Sequence, residues 1–154
     1  VIWSIDAAFA VHPDMKSHSG AIMTLGRGAI QSISKKQKLN TRSSTESELV
    51  PVDDGMSQVM WTKHFLEAQG YNAKHFINQD NESTLKLEQN GPKSIGKRSR
   101  HINIQYFFIT DQIHKGNVEV RYCPTDEMES DYMTKPLQGS KFHKFRNFIM
   151  NLHN

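Results

Sequence analysis

Hydrophobic and polar side chains alternate at the start of the chain, from Val1 to Asp6. A period of two is typical of a strand with one buried face. Two further apolar segments, AIMTL and AIQSI, flank Gly26-Arg27-Gly28, a sequence suited to a tight turn. The pattern therefore predicts a first strand and then a hairpin, before any helix begins.

The pattern changes to a helical period between about Ser44 and Gln69. The apolar residues near one face of this helix are Leu49, Val52, Met56, Val59, Met60 and Leu66. Gly70 follows directly and is a common stop signal. This segment is predicted to be the longest helix of the chain.

Shorter elements alternate in the second half of the chain. HFINQ predicts a strand, and residues 81–90 predict a helix that stops at Gly91-Pro92. A second apolar helical face covers residues 102–113, and an alternating strand covers residues 118–122. Three strands followed by alternating helices and strands predict an α/β domain with a mixed sheet, in which helical crossovers follow a meander.

Bulk composition limits the class of protein. A chain of 154 residues has the size of one domain and can bury one core. It has neither a long apolar run nor a secretory leader at its start, so we expect a soluble, intracellular protein that does not enter a membrane. The single cysteine, Cys123, excludes an intrachain disulfide and a multi-cysteine zinc site, and is expected to pack at a strand end.

Positive charge is unevenly distributed, although the net charge is only +3. Six Lys or Arg residues and no acid lie between Met15 and Thr45, and a second acid-free basic stretch covers residues 93–100. Both stretches are compatible with solvated loops. Contacts with the phosphates of a nucleic acid are the alternative, and they predict binding that weakens as salt is added.

Four carboxylates stand in recognisable local settings. Asp6 lies in the first predicted strand, and Glu48 lies where the long helix begins. Asp80 follows the apolar segment FINQ, and Asp131 lies on a short helix predicted to be capped by Thr125. Two-metal hydrolysis of a phosphodiester requires such a set, because acidic side chains must share two divalent cations about 4 Å apart.

Asp6 and Glu48 also have ordinary structural interpretations. A charged aspartate inside a strand is costly to bury unless it is paired or bound to a metal, but Asp6 could also be an exposed residue at a strand end. Glu48 completes a capping box with Thr45, and Ser43 forms an equally good box with Glu46.

The other two carboxylates have alternatives of the same kind. Either Asp80 or Asn81 could be the N-cap of the following helix. Asp131 lies among three further acids, any of which could complement the positive end of a helix dipole. These acids are Asp126, Glu127 and Glu129.

Four strings, SSTESELV, QDN, RHINIQYFFI and DYMTKPLQG, extend the pattern. In their order and spacing they resemble the ribonuclease H domain that ends the polyprotein of copia-type LTR retrotransposons, and the resemblance covers Val1 to about Leu152. It implies a ribonuclease H-like fold, a mixed five-stranded sheet flanked by helices, over residues 1–136. Residues 137–154 are expected to form an amphipathic tail helix that packs either on its own domain or on a partner.

The resemblance implies endonucleolytic hydrolysis of the RNA strand of RNA·DNA hybrids during reverse transcription. By the family pattern, the catalytic and metal-binding residues are Asp6, Glu48, Asp80 and Asp131, and Glu46 is structural. The expected cofactor is a pair of Mg²⁺ ions, for which Mn²⁺ should substitute, because both suit an all-oxygen site. The expected partners are the hybrid and the upstream reverse transcriptase of the same polyprotein, in the cytoplasm and within a virus-like particle.

Candidate contacts to the hybrid come from the same resemblance and from the basic segment GKRSRH. They are Ser43, Ser44, Asn81, Lys97, Arg98, Arg100 and His101. Asn81 could equally cap a helix, and His101 could equally be a structural histidine. Recognition is expected to rest on groove shape and on the 2′-hydroxyls that DNA lacks.

Pro51 is the main departure from the family pattern, because a proline in a helix interior costs roughly 3 kcal/mol. If the helix starts at Thr45, the proline falls in its second turn and could tilt Glu48 away from the metals. If Ser47 is the cap, the proline falls in the first turn, where the loss is smaller. The alternative function is therefore a catalytically impaired domain that binds hybrids or has a structural role. A third hypothesis is a nuclease of the integrase or transposase type on the same fold.

Overall fold

One mixed sheet of five strands organises the structure, a computed structural model that describes residues 1–90 and 100–152. Of these, the side chains of residues 87–90 and 100–106 are outside the description. The strands are β1 (Ile2–Ala8), β2 (His18–Thr24), β3 (Gln31–Lys36), β4 (Phe76–Gln79) and β5 (Glu119–Tyr122). The helices are α1 (Ser44–Ala68), α2 (Glu82–Asn90), α3 (Arg100–His114), α4 (Asp131–Thr134) and α5 (Gly139–Ile149).

The strands have the order β3-β2-β1-β4-β5. The first three pair antiparallel in sequence order, whereas β4 pairs parallel with β1 and β5 pairs parallel with β4. Along the chain, α1 connects β3 to β4, and α2 and α3 lie between β4 and β5. This topology confirms the predicted meander followed by helical crossovers.

Alternation along β1 gives the two faces of the sheet different roles. Trp3 and Ile5 are fully buried in the main hydrophobic core. The other buried members of this core are Ala21, Met23, Leu49, Val52, Met56, Val59, Ile77, Ile109, Val118 and Val120. Ser4 and Asp6 point to the opposite face, because successive side chains of a strand alternate, and both are buried there. One face of β1 therefore packs the core, and the other carries polar groups that need partners.

The segment after β5 differs from the sequence prediction. A single 3₁₀ turn covers Thr125–Glu127, and α4 begins only at Asp131, so the predicted helix capped by Thr125 is wrong. Met128 lies between the two in an extended conformation and is fully buried. The burial of this side chain takes the backbone out of a helical path. Cys123 is buried directly after β5, as predicted.

The helices bear on two expectations from the sequence, one about membrane insertion and one about the end of α2. None of the helices in the described part of the chain combines the length and the apolar character that crossing a membrane requires. The predicted stop at Gly91-Pro92 lies outside the described residues, and α2 is described as far as Asn90.

The start of α1 decides between the two capping boxes. Oγ of Ser43 accepts a hydrogen bond from the backbone N–H of Glu46 over 3.1 Å. In return, Oε2 of Glu46 accepts one from the backbone N–H of Arg42 over 2.6 Å. Ser43 and Glu46 therefore cap the helix, and Glu48 faces the sheet instead of capping.

Pro51 lies in the interior of α1, which starts at Ser44 and continues through the proline. Proline lacks the N–H group that would bond the carbonyl of Ser47, four residues earlier. The buried side chain of Gln37 replaces this donor: Nε2 lies 2.9 Å from the Ser47 carbonyl oxygen and 3.0 Å from Oγ of Ser19. The structure therefore restores the hydrogen bond that Pro51 removes.

The tail helix α5 packs on the same domain. Phe145 is buried, and the carbonyl of Ile149 accepts a hydrogen bond from the N–H of Ala29 over 3.0 Å. These contacts favour the self-packing alternative for the tail, whereas a domain boundary at residue 136 stays a prediction.

Replacing Gln37 by Leu should destabilise the protein by about 1–3 kcal/mol, because the Ser47 carbonyl is then buried without a donor. The loss should be about 1 kcal/mol smaller in a Pro51→Ala background, where the new N–H can bond the same carbonyl. Urea denaturation of the wild type, both single variants and the double variant measures this coupling. Strictly additive losses would show that Gln37 acts independently of the proline.

Candidate active site

Three of the four predicted carboxylates converge at one edge of the sheet. One carboxylate oxygen from each of Asp6, Glu48 and Asp80 can be chosen so that all lie within 4.8 Å of one another. Asp6 is near the carboxyl end of β1, and Asp80 directly follows the parallel neighbour β4, so both emerge at the same edge. Glu48 reaches them from the first turns of α1. Such an all-oxygen group can hold a divalent cation.

Burial makes this arrangement electrostatically unfavourable without a cation. Burial, and then the nearby Asp6 and Asp80, raise the pKa of Glu48 to about 9. The single partner that the structure gives its carboxylate is the N–H of Ala7, which donates to Oε2 over 3.0 Å. Burial also raises the pKa of Asp6 to about 6, against the opposing effect of Lys135. The residues present therefore fit a bound metal, which would let both groups ionise.

Asp131 is buried at the start of α4, close to Asp6, but it does not belong to this group of three. Its Oδ1 lies 2.5 Å from Nζ of Lys135, and its Oδ2 lies 2.8 Å from Nζ of Lys141. Burial raises its pKa, but the hydrogen bonds from these two lysines prevail and hold the pKa below its usual value. Nζ of Lys135 also lies 3.6 Å from Oδ2 of Asp6, so one ammonium group links the two aspartates.

Hydroxyl groups orient two of the carboxylates, and sequence reasoning missed both. Thr134 donates a hydrogen bond to Oδ2 of Asp6, and Thr125 donates one to Oδ2 of Asp80 over 3.1 Å. Thr134 and Lys135 stand inside the motif DYMTKPLQG, which was therefore the available signal. Lys141 had no such signal, because it lies in the segment interpreted as a separate tail.

Gly20 is a further residue that sequence reasoning missed. It pairs with Asp6 across β1 and β2, on the face that α4 covers. A Cβ at this position would lie 2.6 Å from Cγ2 of Thr134 and 3.0 Å from the carbonyl oxygen of Ser130. Only glycine therefore lets α4 approach the sheet closely enough to bring Asp131 beside Asp6.

The predicted polar contacts lie outside the carboxylate group. Ser43 caps α1, and Ser44 is exposed beside it. Oδ1 of Asn81 accepts hydrogen bonds from the N–H groups of Ser83 and Thr84, over 3.0 and 3.1 Å. Asn81 is thus the cap of α2, which leaves Asp80 to the site.

The predicted basic contacts are only partly within the described residues. Lys97 and Arg98 lie outside them. Arg100 and His101 start α3, and their side chains are outside the description. In the first basic stretch, Lys16 and Lys36 pair with Asp14, and Lys35 pairs with Asp54. Part of that positive charge is therefore balanced by surface acids.

Comparison with known proteins identifies relatives among plant transposons, although no protein-family model matches the chain. The chain is 34% identical to the retrovirus-related Pol polyprotein from transposon RE2 of Arabidopsis thaliana over 134 residues, which is 86% of this chain and 9% of the relative. It is 28% identical to the corresponding polyprotein from transposon TNT 1-94 of Nicotiana tabacum over 135 residues, 87% of this chain and 10% of the relative. The chain therefore corresponds to one segment of the Pol polyproteins of plant copia-type retrotransposons, and it is called the Pol domain below. This confirms the family resemblance of the sequence motifs, and the chain spans about a tenth of the length of these relatives.

Solved structures establish the fold of this Pol domain. LC11-RNase H1, isolated from compost, matches with a TM-score of 0.63 at 12% identity, over 86% of this chain and 91% of that chain. The same protein in complex with an RNA/DNA hybrid gives a TM-score of 0.61 at 12% identity, over 86% and 92%. Prototype foamy virus protease-reverse transcriptase gives 0.52 at 9% identity, over 97% of this chain and 20% of that chain. The Pol domain therefore has the ribonuclease H fold, as predicted.

Replacing Gly20 by Ala should push α4 away from the sheet and destabilise the Pol domain by about 1–3 kcal/mol. Gly55→Ala is the matched control, because its Cβ would lie 3.5 Å from Cδ1 of Ile5, an ordinary contact, and the helix should gain up to about 1 kcal/mol. Chemical denaturation measures both changes. A Gly20→Ala protein as stable as the wild type would contradict the close approach.

Replacing Glu48 by Gln should stabilise the metal-free Pol domain at neutral pH by about 1–3 kcal/mol. The folded state keeps a proton on Glu48 up to a pKa of about 9, whereas the unfolded chain releases it near the ordinary pKa of 4.5. Stability of the wild type should therefore fall as pH rises between these two values, and Gln removes this dependence. Urea denaturation in a chelator at pH 4, 6 and 8 measures it.

The control for this prediction is Glu67→Gln on the same helix. A hydrogen bond from Lys63 holds the pKa of Glu67 below its usual value, so removing that charge should not stabilise the protein. If the Glu48→Gln protein is no more stable than the wild type at any pH between 4 and 8, the raised pKa of Glu48 is contradicted.

Proposed function

We propose that this Pol domain is a metal-dependent ribonuclease H, which hydrolyses the RNA strand of RNA·DNA hybrids during reverse transcription of a retrotransposon. The observation that carries the proposal is the group of oxygens from Asp6, Glu48 and Asp80, within 4.8 Å of one another on a ribonuclease H fold. Within this group Glu48 is buried and has no cationic partner among the described residues, and a carboxylate in that position is costly to a fold and therefore typical of a functional site.

The four carboxylates divide into two overlapping sets in this proposal. Asp6, Glu48 and Asp80 would hold one cation, and Asp6 with Asp131 would hold a second. The donors are all carboxylate oxygens, which suits Mg²⁺ and permits Mn²⁺. Bound cations of this kind lower the pKa of a water and stabilise the charge on a leaving oxygen. Thr134 and Thr125 would keep Asp6 and Asp80 in the orientations that binding requires.

The hybrid would approach the edge where β1 and β4 end. The solved complex of LC11-RNase H1 contains an RNA/DNA hybrid, and its fold matches this domain. The candidate contacts here are Ser43, Ser44, Asn81, Lys97, Arg98, Arg100 and His101. Lys38 and Arg42, which are exposed and precede α1, are further candidates. Contacts to phosphates and 2′-hydroxyls would recognise shape rather than base sequence.

The alternative of a catalytically impaired hybrid-binding domain depended on Pro51. Gln37 restores the hydrogen bond that the proline removes, and Glu48 still meets Asp6 and Asp80. The geometry therefore supports the active enzyme over the impaired domain. The neighbour with protease and reverse transcriptase parts supports a further proposal, that a reverse transcriptase of the same polyprotein is the partner of this domain in the cytoplasm.

The wild type should cleave the labelled RNA strand of a hybrid in Mg²⁺ or Mn²⁺, and Asp80→Asn should lower the rate by about 100-fold or more, because one of three shared ligands loses its charge. Glu82→Gln is the matched control, since Glu82 is an exposed carboxylate two residues away, and its ion-pair partner among the described residues is Lys86. A gel assay measures cleavage, and hybrid binding in a chelator confirms that the variants retain their surface.

Other outcomes would assign other functions. Intact binding without cleavage by the wild type would favour the impaired hybrid-binding domain. Cleavage of duplex DNA in preference to the hybrid would favour a nuclease of the integrase or transposase type.

A further inference from the structure

The two halves of the carboxylate site differ in how their charge is balanced. Asp131 is paired with two ammonium groups, those of Lys135 and Lys141, at 2.5 and 2.8 Å. Among the residues that the structure describes, neither Glu48 nor Asp80 forms an ion pair. Ammonium groups therefore lie on the Asp131 side of the site, and none of those described pairs with Glu48 or Asp80.

Lys135 is the residue that bridges the two halves. Its Nζ lies 2.5 Å from Oδ1 of Asp131 and 3.6 Å from Oδ2 of Asp6. Lys141 contacts Asp131 on the other oxygen and makes no described contact with Asp6. An ammonium group between two carboxylates occupies the place that a shared metal cation would take, because the same carboxylate oxygens would bind either cation.

The backbone around Lys135 holds it in this place. Its N–H donates to the carbonyl of Asp131 over 2.9 Å, which ends α4. The residue then adopts an extended conformation, as residues before a proline usually do, and Pro136 follows. Because the side chain is 38% exposed, it has an open path to solvent when it leaves the aspartates.

We propose that the ammonium group of Lys135 occupies the second cation position, between Asp6 and Asp131, so that a second divalent ion binds only by displacing it. In the resting domain one ion binds at Asp6, Glu48 and Asp80. The ammonium group of Lys135 then balances the negative charge between Asp6 and Asp131. This inference rests on the proposed function, because both concern the same carboxylates. It makes Lys135 a positioning residue that sets the concentration at which the second ion binds.

Calorimetric titration of the nucleic-acid-free protein with Mn²⁺ tests this proposal without any activity measurement. The wild type should bind one ion tightly and a second weakly. Lys135→Gln should bind the second ion about tenfold or more tightly than the wild type does, because no ammonium group competes for Asp6 and Asp131. Lys135→Arg keeps the charge and should bind the second ion weakly, as the wild type does.

Lys115→Gln is the matched control. Lys115 directly follows α3 and pairs with Asp111 four residues earlier over 2.6 Å, the same spacing as Lys135 and Asp131. It should bind Mn²⁺ as the wild type does. Equal affinities for the second ion in the wild type and Lys135→Gln would overturn the inference and leave the ribonuclease proposal intact. If neither the wild type nor Lys135→Gln binds any Mn²⁺, this inference and the ribonuclease proposal are both overturned.

A second measurement on the wild type avoids dependence on a variant that fails to fold. Reductive methylation followed by mass spectrometry reports how accessible each lysine amine is. Saturating Mn²⁺ should increase the methylation rate of Lys135 several-fold, because the displaced side chain enters solvent, and leave Lys115 unchanged. An unchanged rate at Lys135 once two ions are bound would overturn the displacement.

Discussion

Burial of closely spaced carboxylates is the constraint on which the rest of this structure depends. Asp6, Glu48 and Asp131 are all buried, and Asp80 is half-buried beside them. Burial raises the pKa of Glu48 to about 9 and that of Asp6 to about 6. A fold that pays this electrostatic cost must recover stability elsewhere, and the core behind Trp3 and Ile5 supplies it.

Several residues keep the carboxylates together without being ligands. Gln37 satisfies the carbonyl that Pro51 leaves without a donor, so α1 stays continuous and presents Glu48. Gly20 lets α4 lie against the sheet, and Thr134 on that helix donates to Asp6. Gln37 and Thr134 act as hydrogen-bond donors, and Gly20 acts by having no Cβ. Each of them allows the carboxylates to lie closer together than they otherwise would.

The fold class was largely predictable, because it depends on local pattern. The four acids were also visible in the sequence, and their role as ligands stays a prediction. The alternation of β1, the long apolar face of α1 and the strings around each carboxylate are all visible in the sequence. The predictions that were wrong or incomplete involve contacts between distant segments. Thr125 was expected to cap a helix, yet it donates to Asp80, 45 residues earlier. The sequence offered two equally good capping boxes, one starting at Ser43 and one at Thr45. The observed hydrogen bonds show that Ser43 is the cap.

The sequence by itself predicted the order of strands and helices, because periodicity reflects which face of each element is buried. Its motif strings resemble the ribonuclease H domain of copia-type retrotransposons, and that resemblance implied the four acids. Folding in three dimensions determined how the acids divide: three carboxylates form one group, and Asp131 lies beside Asp6 but is paired with Lys135 and Lys141. It also determined that Gln37 compensates for Pro51. These outcomes depend on distances between atoms far apart along the chain, and short sequence patterns do not encode such distances.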